Sequence, residues 1–223
     1  MNYSDEILKS WQANAENWIS AIDGNEIESR VLITNDAIFN IIVKYNPANI
    51  LDVGCGEGWL LRKLLAHGIN GHGIDAIDSL IKNAIKKGGD NYTVCNYEDF
   101  INNKLELLKE MDAAVINFAL LDKEISEKLL KYLSGSLHRD SLIFLQTLHP
   151  ISIALNDAYE TGWKSGSWTG LNKDFKLPYK WYFRTIEDWL NTFSDAGLTL
   201  AELKETIHPE TKLPASMIFV LRV

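Results

Sequence analysis

Residues 50–59 read ILDVGCGEGW, an apolar strand that runs into three alternating glycines, Gly54, Gly56 and Gly58, and then into the helix-like run LLRKLL at 60–65. The next strand-like run, His72-Gly73-Ile74-Asp75, ends on a carboxylate 17 residues beyond Gly58. Glycines at such a turn let backbone N–H groups approach a ligand closely. The helix start adds a partial positive charge, and a carboxylate about twenty residues on can hold the diol of a ribose. Together they imply a site for a nucleoside-containing cofactor, the alternative being an ordinary tight strand-to-helix turn.

Two details bear on which cofactor. Trp59 stands where a dinucleotide-binding fingerprint wants its third glycine, and Asp52 puts a carboxylate two residues before the loop, where phosphates would have to sit. A negative group there suits a ligand carrying ammonium and sulfonium charge. On these residues the stretch 50–59 with Asp75 resembles the motif of class I S-adenosylmethionine-dependent methyltransferases. The likeness is specific over 50–75 and weaker over the rest of the chain.

That resemblance implies a three-layer αβα Rossmann-like fold. Its seven-stranded, mostly parallel sheet has order 3-2-1-4-5-7-6, the last strand antiparallel. It implies S-adenosylmethionine as cofactor, with Gly54, Cys55, Gly56 and Gly58 offering backbone contacts, Asp75 the ribose and Ala76 and Ile77 flanking the adenine. Gly56→Val is expected to abolish binding. Asn96, with Tyr97 beside it, occupies the position of an adenine-binding acid in many relatives; as an amide it accepts more weakly. Asn117 and Phe118 follow the fourth strand and are expected near the methionine part and the sulfonium. Relatives often carry a histidine a few residues later, where this chain has Leu121-Asp122, so Asp122 reads as a helix cap. Upstream, Trp18 and Arg30 fall where relatives close over the cofactor, and a guanidinium suits its carboxylate. Residues alone leave other readings open: Asp75 as a cap, Asn96 as a turn residue, Arg30 on the surface and Trp18 in the core.

The periodicity agrees with one α/β domain over 1–223. Residues 4–22 carry apolar side chains at helical intervals, and a second helix is expected over 29–45, stopped by Asn46-Pro47; residues 1–46 thus form an N-terminal helical cap. Strands at 50–53, 71–75, 92–95, 113–117 and 142–147 alternate with helices near 58–67, 78–87, 97–109 and 122–133, which means βαβ units with both sheet faces covered. Thr185 to Asp188 reads as a capping box that opens a helix ended by Gly197, before two final strands at 198–203 and 217–223.

Between the fifth strand and that helix, residues 151–183 are dense in aromatics, including Tyr159, Trp163, Trp168, Tyr179 and Trp181. A stretch of this length is expected to be a substrate-side insertion or lid. Trp168, Tyr182 and Arg184 are the polar-capable members that can orient an acceptor, with core packing, or an ion pair for Arg184, as the other reading. His149, at the carboxyl end of strand five, is the candidate general base; stabilising the loop before Pro150 is the alternative.

The chain of 223 residues is 46% hydrophobic with a formal charge of −8, which argues against a phosphate-backbone partner and for a small acceptor. Cys55 and Cys95 make no metal spacing or disulfide framework and read as free thiols, and no metal is expected. No apolar run approaches membrane-spanning length and the start lacks the pattern of a secretion signal, so a cytoplasmic protein without membrane insertion is expected, as monomer or homodimer. The function implied is methyl transfer to an O, N or C atom of a small, apolar or aromatic metabolite. A nicotinamide-dinucleotide oxidoreductase and a non-catalytic sensor or partner subunit are the alternatives.

Overall fold

The computed structural model describes residues 3–223 except 90, 104–105, 156, 167, 169–170 and 172–173. Strand β1 (Asn49–Val53) lies at the centre of the sheet because both of its faces are apolar. Leu51 and Val53 point into one core, with Ile50 in the other. The same alternation places Ala114 and Ile116 of β4 (Ala113–Asn117) opposite Ala113 and Val115. Strands buried on both faces need helices above and below. Helix α2 (Asn35–Tyr45), α3 (Trp59–Leu65) and α4 (Asp78–Lys87) cover one side; α5 (Tyr97–Asn103), α6 (Glu124–Ser136) and α8 (Ile186–Asp195) cover the other.

The sheet runs β3-β2-β1-β4-β5-β9-β8, with β2 Asn70–Asp75, β3 Tyr92–Val94, β5 Leu142–Leu148, β8 Thr199–Ile207 and β9 Pro214–Arg222. Strands β3 to β5 are parallel, while β9 runs antiparallel to both β5 and β8. This is the expected Rossmann-like topology. Its last two strands are eighth and ninth in the chain because residues 151–183 hold a hairpin of their own, β6 (Gly162–Ser165) paired with β7 (Lys180–Phe183). Short helix α7 (Pro150–Ala154) opens that insertion.

Two helices differ from expectation. The segment expected as one helix over 29–45 begins with a π-helical turn, Arg30–Thr34, before α2 takes over. That predicted over 97–109 ends at Asn103 and is followed by a 3-10 turn, Glu106–Glu110. Elsewhere the local signals hold. Asn46 ends α2 in the left-handed conformation (φ 49°), and Thr185 Oγ1 accepts from Asp188 N at 3.1 Å to start α8.

Helix α1 (Tyr3–Asp23) does not pack by apolar side chains alone. Ser10 and Asn14 are buried on it because they meet the insertion's backbone. Asn14 Nδ2 donates to the Lys176 carbonyl at 2.5 Å, its Oδ1 accepts from Lys176 N at 2.7 Å, and the Ser10 hydroxyl donates to the Leu177 carbonyl. Asn17 Nδ2 adds a bond to the Asp174 carbonyl at 3.0 Å. The N-terminal cap and the insertion are thus hydrogen-bonded to each other. Among the described residues no helix is long and apolar enough to cross a membrane.

Phe219 fixes the core on the α8 side, its ring 4.9 Å from Phe193 and 6.1 Å from Trp189 between centroids. Phe219→Ala is expected to cost about 3–5 kcal/mol of unfolding free energy, the range for emptying a packed aromatic site, measured by urea denaturation.

Candidate cofactor and acceptor site

The glycine loop follows β1 with Gly54, Gly56 and Gly58 at φ 76°, 58° and 79°, a region that costs L side chains energy. Each glycine answers to a different neighbour. A Cβ on Gly54 would lie 2.5 Å from Ala119 Cβ and 2.7 Å from the Tyr97 hydroxyl, and one on Gly58 would lie 2.6 Å from the Tyr92 hydroxyl. A Cβ on Gly56 would meet nothing within 4 Å, and Gly56 lines a cavity of about 930 Å³. Packing therefore adds to the conformational demand for glycine at Gly54 and Gly58, whereas at Gly56 the backbone and whatever fills the cavity make it alone.

Asp75 at the end of β2 closes the loop. Its Oδ2 accepts from Gly56 N and its Oδ1 from Ile77 N, each at 2.9 Å. A carboxylate offers about four acceptor positions, so two remain for a diol. Burial pushes the Asp75 carboxyl above its ordinary value, while the two N–H bonds pull the other way. Asp52, two residues before the loop, is 2% exposed, and its Oδ1 has no partner among the described residues. Burial, reinforced by the charges of Asp75 and Glu57, pushes Asp52 up to about 8. An acid held this way becomes an anion when a cation arrives beside it.

Arg30 faces the same cavity. Its guanidinium lies over the rings of Trp18 (5.6 Å) and Trp59 (5.3 Å), and burial lowers it to about 10, partly offset by Glu57, so it stays cationic at neutral pH. Among the described residues its guanidinium makes no hydrogen bond. Opposite, Asn117 Oδ1 is buried without a partner and Phe118 holds φ 55°, strain of the kind that collects at ligand sites. The Tyr97 hydroxyl donates to the Ala119 carbonyl at 3.1 Å, and burial drives it far above its usual range. Beyond the loop the cavity widens between α1, the hairpin β6–β7 and Ser152 and Ile153 of α7, where Trp11, Trp168, Tyr179, Trp181 and Tyr182 line it.

An orphaned acid, a free guanidinium and a carboxylate with two spare acceptor positions make a cradle for a zwitterionic nucleoside with an added positive centre. Against known proteins, residues 37–203 match the methyltransferase-domain family. The chain belongs to that family. An uncharacterized methyltransferase of Geobacillus sp. (strain WCH70) is 26% identical over 199 residues, 87% of this chain and 91% of the relative. An S-adenosylmethionine-dependent methyltransferase from Mesorhizobium loti superposes with a TM-score of 0.61 at 20% identity, over 82% of this chain and 96% of that one. The DhpI–SAM–HEP complex gives 0.69 at 12% identity, over 99% and 98%. The protein is a class I methyltransferase-family member with S-adenosylmethionine as its cofactor, and the dinucleotide alternative falls.

Of the residues picked from the sequence of this methyltransferase, the structure gathers Trp18, Arg30, Asp52, Gly54, Cys55, Gly56, Asp75, Ala76, Ile77, Asn96, Tyr97, Asn117 and Phe118 around one cavity, with Trp168, Tyr182 and Arg184 toward its other end. Gly58 is not on its wall. Asn96 is a helix cap, its Oδ1 accepting from Asp99 N at 2.8 Å and its Nδ2 donating to Asp99 Oδ2, which leaves one lone pair for an adenine.

His149 is a correction to the sequence reading. It is 0% exposed, its Nδ1 accepts from Ile151 N and its Nε2 lies 2.7 Å from Glu205 Oε1, so both ring nitrogens are engaged and His149 is not among the residues lining the cavity; the loop-stabilising reading fits it instead. Arg184 touches the cavity but is spent on Glu127 Oε1 (2.8 Å) and Asp188 Oδ2 (2.6 Å), which fixes it as the tie between α6 and α8. Sequence reasoning passed over Glu57, buried beside the loop and paired with Arg62 (2.6 Å) and Lys87 (2.8 Å). Its place inside the glycine motif was the available signal. Among the described residues no cluster could hold a metal ion.

Asp52 carries a pH prediction. Its folded value of about 8 stands above the 3.8 of the unfolded chain, so the Asp52 contribution to ligand-free stability is fullest below pH 3.8 and falls as pH rises toward 8. Asp52→Asn is expected to raise the melting temperature of the ligand-free protein more at pH 8 than at pH 5. Calorimetry in buffers of differing ionisation heat should show proton release on S-adenosylmethionine binding at pH 7 for the wild type and none for Asp52→Asn. Gly56→Val, strained at φ 58° but free of any clash, should lower the melting temperature less than Gly58→Val does, and should fail to bind.

Proposed function

We propose that this methyltransferase moves a methyl group from S-adenosylmethionine to an O, N or C atom of a small, apolar or aromatic metabolite. The observation that carries the reading is the continuity of the cavity. The space beside Gly56, Asp75 and Arg30 opens without a wall into a chamber of Trp11, Trp168, Tyr179, Trp181 and Tyr182. Its volume of about 930 Å³ is at the upper end of ordinary ligand pockets, room for a cofactor with an acceptor beside it.

In this reading Asp75 accepts from both ribose hydroxyls, Ala76 and Ile77 bound the adenine, and Asn96 gives it a single acceptor. Arg30 takes the cofactor's carboxylate, held flat by Trp18 and Trp59. Asp52 ionises against its cationic part, and Asn117 Oδ1, buried without a partner, accepts from its amino group. When bound, the cofactor supplies an electrophilic methyl carbon on a positively charged sulfur. The protein's share is to hold the acceptor in line with it and to keep water out, an effect worth about 7–11 kcal/mol when alignment is good.

Aromatic walls suit that task, since they are rigid and exclude water without offering a competing nucleophile. Of the lining groups that could take a proton, two carboxylates are engaged and one phenol is disfavoured. Asp122 accepts from Ser4 Oγ at 2.8 Å and from Ile125 N at 3.0 Å, Asp157 pairs with Lys164 at 3.1 Å, and burial pushes the Tyr179 hydroxyl up to about 12. Positioning rather than proton abstraction is therefore the chemistry assigned to this chain.

S-adenosylmethionine and its demethylated product are expected to raise the melting temperature, with Asp75→Ala removing most of the shift; a folded sample that responds to neither would refute the reading. Incubation with methyl-labelled S-adenosylmethionine and a metabolite extract should then yield a labelled small product by mass spectrometry. Label found only on macromolecules would overturn the acceptor class.

A further inference from the structure

Gln146 lies inside the sheet on β5 with 1% of its surface exposed, at a position where an apolar residue would pack without polar cost. Its side-chain nitrogen donates to the Thr34 carbonyl at 3.2 Å and to Ser216 Oγ at 2.7 Å; Ser216 Oγ is 2.8 Å from Thr206 Oγ1. The Thr34 carbonyl can only accept, so the nitrogen end of the amide faces it. The other end is unsatisfied: among the described residues Gln146 Oε1 is buried with no partner, as is Thr34 Oγ1. A half-satisfied amide in a strand core destabilises the fold. What the amide does reach is the wall of the cofactor site.

Thr34 closes the π-helical turn, in which Asn35 N bonds back to the Arg30 carbonyl five residues earlier. Turns of this kind shift a helix's register at one place and often occur at functional sites. Here both ends of the turn, Arg30 and Thr34, line the cavity. The guanidinium of Arg30 is bounded by two indole rings, which restrain it from the sides but do not fix how far it reaches inward. The bond from Gln146 ties the turn that carries Arg30 to the sheet. The same residue serves the opposite wall, because its backbone carbonyl accepts from Phe118 N at 2.8 Å, at the strained end of β4.

We propose that Gln146 is a positioning residue for the carboxylate end of the cofactor. By pinning the π-helical turn at Thr34 from inside the sheet, it sets the reach of the Arg30 guanidinium into the cavity. The inference rests on the assignment of Arg30 to the carboxylate made above. It requires that loss of the Gln146 donor be felt only by ligands that carry that carboxylate.

The test compares two ligands by calorimetry on the full chain. S-adenosylhomocysteine has the amino-carboxylate arm, and 5′-methylthioadenosine keeps the sulfur nucleoside and lacks the arm. Gln146→Met, similar in length and without a donor, is expected to weaken S-adenosylhomocysteine about tenfold, a coupling in the usual range for residues of one network, and to leave 5′-methylthioadenosine unchanged. Adding Gln146→Met to Arg30→Gln should cost nothing beyond Arg30→Gln alone. Thr206→Val, at the far end of the same network, should lower the melting temperature without separating the two ligands. Equal weakening of both ligands by Gln146→Met, or additive losses in the double variant, would show a merely structural role and overturn the proposal. An Arg30→Gln loss with no Gln146→Met loss overturns it alone, whereas no Arg30→Gln loss brings down the Arg30 assignment with it. Should Gln146→Met fail to fold, Gln146→Asn keeps the buried amide, shortens its reach by one methylene and carries the same expectations.

Discussion

The carboxylate of Asp75 holds the Gly56 and Ile77 N–H groups at 2.9 Å, and the rest of the cofactor site is arranged around that pair of bonds. A glycine loop has little stiffness of its own, since each glycine admits many conformations. Bonding Gly56 to the end of β2 folds the loop over the strand and leaves the open side of Gly56 toward the cavity. The same two bonds orient the carboxylate, so its remaining acceptor positions face a ligand in fixed directions. Binding then requires less reordering of the protein, which is where preorganised sites gain affinity.

Charge in this site is arranged by burial more than by pairing. Burial, reinforced by the charges of Asp75 and Glu57, keeps Asp52 protonated near neutrality, while Glu57 is held by Arg62 and Lys87 and helps keep Arg30 cationic. One acid is thereby left ready to ionise and one cation left ready to pair, both on the lining of the same cavity. A zwitterionic ligand answers both. A diphosphate would hold Asp52 in its neutral form and gain no charge partner from it, which is the physical content of the distinction drawn from the glycine motif and Asp52.

The alternation of strands and helices, the glycine loop, Asp75 at the end of β2 and the α8 cap were legible in the sequence because each is specified by neighbours in the chain, whereas the strand order came from the family resemblance alone. A strand buried on both faces announces itself in five residues, and a cap in four. What was not legible depends on partners far away. His149 carries the right chemistry at the right end of β5, but Glu205, 56 positions later, turns it into a structural residue. Arg184 is claimed by Glu127, 57 positions earlier, and Gln146 reaches Thr34 across 112. The π-helical turn has no apolar signature to distinguish it from the first turn of α2, and the hairpin β6–β7 is masked by a run of aromatics that could belong to a core. In this chain, local pattern specified the cofactor's floor and long-range pairing specified everything that surrounds the acceptor.

The clamp by which Asn14 grips the backbone of Lys176 joins the first helix of the chain to a segment 162 residues further on. During synthesis α1 leaves the ribosome long before residues 174–177 exist. Its buried polar face must stay wet, and the roof of the chamber unbuilt, until the insertion is made. The cofactor-binding floor, complete once β5 has emerged, can be assembled earlier. Afterwards, the grip of two asparagines and a serine on main-chain atoms holds the first helix against a late-made wall of the chamber, so two distant parts of the chain are knit together there while the floor stands on its own neighbours.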